Sequence, residues 1–155
     1  MSQHGSPITI YIPGKPVPWA RTRGAGNKRF KCKKVRHWQT YAAWCAKGLM
    51  RHGSIIAGPI KLTVEAMFSP PPSWEPWKRA MALNGKILHT RTPDFDNLLK
   101  ILCDAFNGIV WIDDSQICQV SFAKVYGDRE RVMATVETLP GHSSNITKKP
   151  PGLTE

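Results

Sequence analysis

Residues 59–68 (PIKLTVEAMF) alternate without a break, Ile60, Leu62, Val64, Ala66 and Phe68 against Lys61, Thr63, Glu65 and Met67. Successive side chains of a strand point to opposite faces, so this run predicts a strand with one apolar face for the core. Residues 7–12 (PITIYI) repeat the pattern through Ile8, Ile10 and Ile12 and stop at Pro13-Gly14. Residues 116–126 and 131–139 read as two further strands, joined around Gly127-Asp128 as a hairpin.

Between these runs the period changes. Trp38, Tyr41, Ala42, Cys45 and Leu49 recur at three- and four-residue spacing, predicting a helix over 35–52 ahead of Gly53. Leu98, Leu102, Ala105 and Phe106 do the same over 96–107, with Gly108 as the stop. Residues 69–92 form a long excursion, opened by Pro70-Pro71-Pro72 and holding Trp74 and Trp77, with room for one short helix over 74–83. Packing of the loop is the expected role of these two tryptophans, ahead of base stacking. The order β, α, β, loop, α, β, β predicts an α/β fold, a two-layer single domain with a mixed β-sheet and two main helices. It would span residues 1–139, and the polar tail 140–155 is expected to be disordered.

The 155 residues suit one domain, and 41% hydrophobic content excludes a disordered chain. No apolar run reaches the ~18 residues of a membrane span, and residues 1–6 lack a signal-peptide layout, so a soluble cytoplasmic protein is expected. Cys32, Cys45, Cys103 and Cys118 form no Cys-x-x-Cys pair and are expected to be reduced and structural; a metal site at Cys32 and His37 is the alternative, though it fits no standard spacing, and the five histidines are equally scattered.

Charge is the more informative feature. The net charge is +11, yet residues 1–64 hold 12 Lys and Arg and no acid at all. Nine of those cations lie between Lys15 and Arg36. Lys15, Arg21, Arg23, Lys28, Arg29, Lys31, Lys33 and Lys34 are interleaved there with Trp19 and Phe30, in a stretch that Gly24 and Gly26 keep from forming one regular element. Each phosphate that such a segment neutralises releases counterions, so nucleic acid is the expected partner. A solvated basic face or a membrane-surface patch is the alternative, but prolines and glycines break any coherent amphipathic helix there.

The acids are an island. Asp94, Asp96, Asp104, Asp113 and Asp114 account for five of the chain's 11 acids within 21 positions, with Lys100 as their one cation. Clustered carboxylates repel one another unless a cation intervenes, and a divalent metal is a reason to gather them. If Asp94 is extended and Asp96 is the helix N-cap, both carboxylates can face one point. Asp96, Lys100, Asp104 and Asn107 then form a polar stripe, and a turn at Asp113-Asp114 could return a third acid. Two or three carboxylates with a phosphate oxygen form a Mg²⁺ site suited to phosphodiester hydrolysis. The alternative is plain caps, turns and a surface ion pair, which leaves a DNA-binding module without chemistry. An EF-hand is excluded by Leu98 and Leu99 at positions that need an oxygen ligand and a glycine.

The runs Pro93-Asp94-Phe95-Asp96-Asn97-Leu98-Leu99-Lys100, Asp104-Ala105-Phe106-Asn107-Gly108 and Trp111-Ile112-Asp113-Asp114-Ser115-Gln116 resemble the ordered motifs of the RusA family of Holliday-junction resolvases. A weaker likeness reaches back to Ile12-Pro13-Gly14-Lys15-Pro16 and forward to Lys124. The resemblance implies a small homodimeric endodeoxyribonuclease dependent on Mg²⁺, with Mn²⁺ able to substitute, that nicks two opposed strands of a four-way DNA junction in recombination and repair. It implies that Asp94, Asp96 and Asp114 are metal-binding catalytic carboxylates, with Asp113 as a further metal candidate to be demoted first. Lys100 would be the catalytic cation, Lys124 a DNA-binding residue, and Asp104 a supporting one. It places the protein with the nucleoid or a phage. Flap- or fork-directed cleavage would use the same residues.

Overall fold

The computed structural model describes residues 6–20, 32–51 and 53–140. Its elements are β1 (Ile8–Pro13), α1 (Lys33–Met50), β2 (Ile60–Phe68), α2 (Pro76–Leu83), α3 (Phe95–Phe106), a 3₁₀ turn (Asp114–Gln116), β3 (Ile117–Tyr126) and β4 (Arg131–Thr138). The four strands form one mixed sheet in the order β1-β4-β2-β3. β4 runs antiparallel to both β1 and β2, and β3 runs parallel to β2. β1, β2 and β3 therefore share a direction, and their C-terminal ends lie along one edge of the sheet.

Alternation does what the sequence predicts. Ile60, Leu62, Val64, Ala66 and Phe68 are buried with Ile10, Ile12, Val132, Ala134 and Val136. Helices α1 and α3 pack on each other and over this face, α1 against β1 and α3 against β3. The opposite face carries polar ties, such as Thr9 Oγ1 to Thr135 Oγ1 at 2.9 Å and Lys61 Nζ to Glu137 at 3.2 Å. This is the expected two-layer α/β domain, with α2 as a third, short helix. Trp38 belongs to the core, whereas Trp44 is 68% exposed on the outer face of α1.

The expected hairpin does not form. β4 lies on the far side of β2 from β3, so the two strands never pair. Residues 127–130 instead cross over the end of β2, where the Gly127 N–H donates to the Phe68 carbonyl at 2.9 Å. Crossing two strand spacings requires about 10 Å, within the ~13 Å that four extended residues span. Burial decides the outcome, because alternate β4 residues are buried as a central strand requires, while 118–121 of β3 are exposed as suits an edge. A Cβ at Gly127 would meet the Met67 side chain, which would have to shift to admit it. In residues 110–112, Trp111 makes isolated bridges to Ile56 and to Asn107.

Candidate active site at the start of α3

Helix α3 starts one residue earlier than its spacing predicts, and its N-cap lies two residues earlier, at Asp94 rather than Asp96. Asp94, at φ −69° and ψ 142°, is the N-cap of α3, and Asp96 lies inside the first turn. Phe95 explains the shift, since its ring packs on Phe122 of β3 with centroids 5.9 Å apart, drawing the chain into the helix from Phe95 onward. The Asp94 carboxylate makes no capping bond. Asp96 Oδ1 accepts from the Asn97 N–H at 2.9 Å. Both acids are exposed, and among the described residues the ion pair formed is Lys61 with Glu137, so neither carboxylate is paired with a described cation.

Two lysines frame this helix start. Lys124 Nζ, on β3, donates to the carbonyls of Arg91 at 2.7 Å and Pro93 at 3.0 Å, fastening residues 91–93 to the sheet directly ahead of Asp94. The ammonium expected to meet DNA is thus engaged by the protein's own backbone. Lys100 does not bridge to Asp96 one turn away. Its Nζ lies 4.0 Å from the ring centroid of Trp19, and the Trp19 backbone N–H donates to the Asn97 carbonyl at 2.9 Å. A cation over an aromatic face is held electrostatically without being neutralised. The segment leading into the basic stretch is thereby anchored on the acidic helix.

The second half of the motif is largely architecture. Trp111 is fully buried, its Nε1–H donates to Asn107 Oδ1 at 2.6 Å, and its ring meets Phe106 edge-on at 5.6 Å. Gly108 takes φ +75° and donates its N–H to the Trp111 carbonyl at 2.7 Å, a backbone state that favours glycine. Gln116 Oε1 accepts from the N–H groups of Ile112 and Asp113 at 2.8 and 3.0 Å, while its Nε2 donates to the carbonyls of Ile56 and Gly58 at 3.0 and 2.8 Å. One side chain thus staples the turn to the loop before β2.

Asp113 and Asp114 divide the work between them. Asp113 caps the 3₁₀ turn, accepting the Ser115 N–H at 3.2 Å in a reciprocal capping box with Gln116. Hydrogen bonds from Ser115, its side chain first and its backbone second, hold the Asp113 carboxyl below its ordinary range. Asp114 is exposed and takes no part in the cap. Its charge reaches Cys103 on α3, whose thiol is pushed up to about 12 by burial first, then by Asp114 and Asp104. Cys103 lies seven residues after Asp96, on the same helix face and about 10 Å further along the axis.

Among the described residues, no group of three or more His, Cys, Asp or Glu side chains stands close enough to share one metal ion. Asp94 and Asp96 stand two residues apart at the start of α3, and Asp114 sits on the 3₁₀ turn, with its charge felt at Cys103 of α3. Mg²⁺ is commonly held through one or two carboxylates, with waters and substrate phosphates completing its shell. Two exposed oxygen donors with no cation partner fit that chemistry. Of the expected DNA-binding residues, Lys15, Lys33 and Lys34 are exposed. Arg21, Arg23, Lys28, Arg29 and Lys31 lie outside the described residues, as does the tail beyond Pro140. The two loop tryptophans part company: Trp74 packs edge-on against Tyr126 at 5.5 Å, whereas Trp77 is exposed. His89 and Phe95, both structurally prominent here, carry no signal in the sequence, a lone histidine and an apolar residue between two acids.

The protein-family model described as Endodeoxyribonuclease RusA matches residues 13–137. A curated protein of Bacillus subtilis (strain 168), "Uncharacterized protein YqaN", is 32% identical over 139 residues, covering 85% of this chain and 95% of its own length. No described helix is long and apolar enough to cross a membrane. With the match running from the end of β1 almost to the end of β4, the chain belongs to the RusA endodeoxyribonuclease family.

Proposed function

We propose that this protein is a divalent-metal-dependent endodeoxyribonuclease that resolves four-way DNA junctions by paired, symmetric nicks. The observation that carries this reading is Asp94 and Asp96, exposed and paired with no described cation at the start of α3, in a chain whose first 64 residues hold 12 cations and no acid. A structural cap would use the Asp94 carboxylate, and this one makes no capping bond. Asp94 and Asp96 would hold the metal against the scissile phosphate, with Asp114 as a third carboxylate. Mg²⁺, when bound, lowers the pKa of water and neutralises phosphate charge. Lys100, kept unpaired over Trp19, stabilises the charge that develops on the phosphate oxygens. Water oxygen adds to phosphorus, the P–O3′ bond breaks and the proton ends on the 3′ oxygen, leaving 5′-phosphate and 3′-hydroxyl ends that can be religated.

Lys15, Lys33, Lys34 and the cations of 21–31 bind the DNA arms, a contribution that weakens with added salt. A four-way junction offers two equivalent strands, and a twofold homodimer presents two equivalent sites to them. The test is cleavage of an end-labelled immobile junction beside its linear duplex, by wild type and Asp96→Asn, in Mg²⁺ or EDTA. Symmetric nicks confined to the junction and dependent on both Mg²⁺ and Asp96 are expected. Bound but uncut junction in every lane would leave a DNA-binding module, and cleavage confined to flaps or forks would change the substrate.

A further inference from the structure

A cavity of about 260 Å³ opens where the C-terminal ends of β1, β2 and β3 meet the strap of residues 89–93. Phe68 and Tyr126 form its apolar walls, and Pro93, the residue before Asp94, lies on its rim. Lys15 enters from the loop after β1, and Arg91 from the strap. The Arg91 guanidinium rests 5.3 Å from the Trp74 ring centroid, and Trp74 packs on Tyr126, so this cation is held in place.

His89 is the unusual member. It is only 8% exposed, wedged between Phe68 and Tyr126 with ring centroids 4.3 and 4.8 Å away. Its Nδ1 is sealed from solvent with no hydrogen-bond partner of ordinary geometry. Burial first, then the charge of Lys124, holds the imidazole below its ordinary pKa, so the ring is neutral at pH 7 and carries one proton. The neutral ring brings one N–H to the lining of a cavity that already holds two cations and one acid, Glu130.

We propose that this cavity is a subsite for a DNA backbone phosphodiester next to the scissile one, with Lys15, His89 and Arg91 as its positioning residues. A phosphodiester is a monoanion, matching two cations set against one carboxylate, and it needs the extra donor that a neutral His89 supplies. The continuity of Pro93 with Asp94 puts the bound phosphate beside the acidic pair on one strand. The assignment of that strand rests on the nuclease reading above, but binding at the subsite can be measured without cleavage.

In EDTA, the His89 ring-nitrogen resonances of the full chain are followed by NMR on adding the dinucleotide TpT, thymidine or inorganic phosphate. A shift with TpT and none with thymidine is expected. A shift with inorganic phosphate alone would make the cavity a free-anion site, and no shift with any ligand would leave no anion site; either result overturns the proposal. In parallel, single methylphosphonates are scanned around the crossover of a junction and binding is measured in EDTA. One neutral position should weaken wild type about tenfold, the scale of one charge-assisted contact, and leave Arg91→Gln and His89→Phe unaffected. Equal losses in wild type and variants at every position would overturn the subsite. A position-specific effect on a junction that is never cut would sink the nuclease reading alone, and normal cutting without such an effect would sink the subsite alone.

Discussion

Lys124 Nζ donates to the Pro93 carbonyl at 3.0 Å, so a cation on β3 fixes the backbone that delivers Asp94 to the start of α3. The same ammonium holds the Arg91 carbonyl at 2.7 Å. Lys124→Gln should therefore act on the strap before it acts on DNA affinity. A loss of about 1.5–3 kcal/mol is expected from two charge-assisted bonds, read by denaturant unfolding. Cleavage should fall more steeply than junction binding, and a variant that lost binding alone would return Lys124 to a purely DNA-contacting role.

The two neighbouring acids of the turn should respond oppositely. Asp113→Ala removes a cap and should lower the melting temperature, because the Ser115 N–H loses its acceptor. Asp114→Asn should leave the melting temperature unchanged while cleavage falls by about 10²–10³-fold, the scale of losing one group that stabilises transition-state charge. Asp94→Asn and Asp96→Asn should behave like Asp114→Asn, with junction binding in EDTA preserved. Thermal melts beside cleavage assays separate the two classes.

Asn107→Ala should be a stability variant despite its place in a motif full of acids. It strands the buried Trp111 Nε1–H, whose acceptor is Asn107 Oδ1, at a cost of about 1–3 kcal/mol. Urea unfolding should show the loss, and the folded fraction should retain wild-type cleavage.

Acid should weaken the fold through His89. Burial, and then Lys124, lower its folded pKa below the unfolded value, so the unfolded chain binds the proton first. The stability it contributes is complete above the unfolded pKa, about 6.5, and is lost as pH falls through the folded value. Asp113, also lowered, adds a second limb that is present above the ordinary carboxylate range and lost below it. Unfolding free energy measured from pH 7.5 downward should decline first near pH 6.5, and His89→Phe should remove that first decline while keeping the second.

Local pattern determined much of this protein. Alternation over 59–68 marked the buried face of β2, helical spacing marked α1 and α3, and the order of Asp94, Asp96, Asp113, Asp114 and Gln116 marked the family. These signals are readable because side-chain direction repeats with a fixed period along one element. Which strands become neighbours is a matter of burial across the whole sheet. Residues 116–126 and 131–139 read as a hairpin, and tertiary packing placed β2 between them. Only the folded chain could give Lys124 two carbonyl partners about 30 residues away, or seat Lys100 over Trp19 and His89 between Phe68 and Tyr126. Those contacts join residues with no sequence period in common, so no local pattern encodes them. Local spacing marks where the acids gather, while packing across the sheet makes Asp113 a cap, leaves Asp94, Asp96 and Asp114 exposed, and fastens the backbone that carries them.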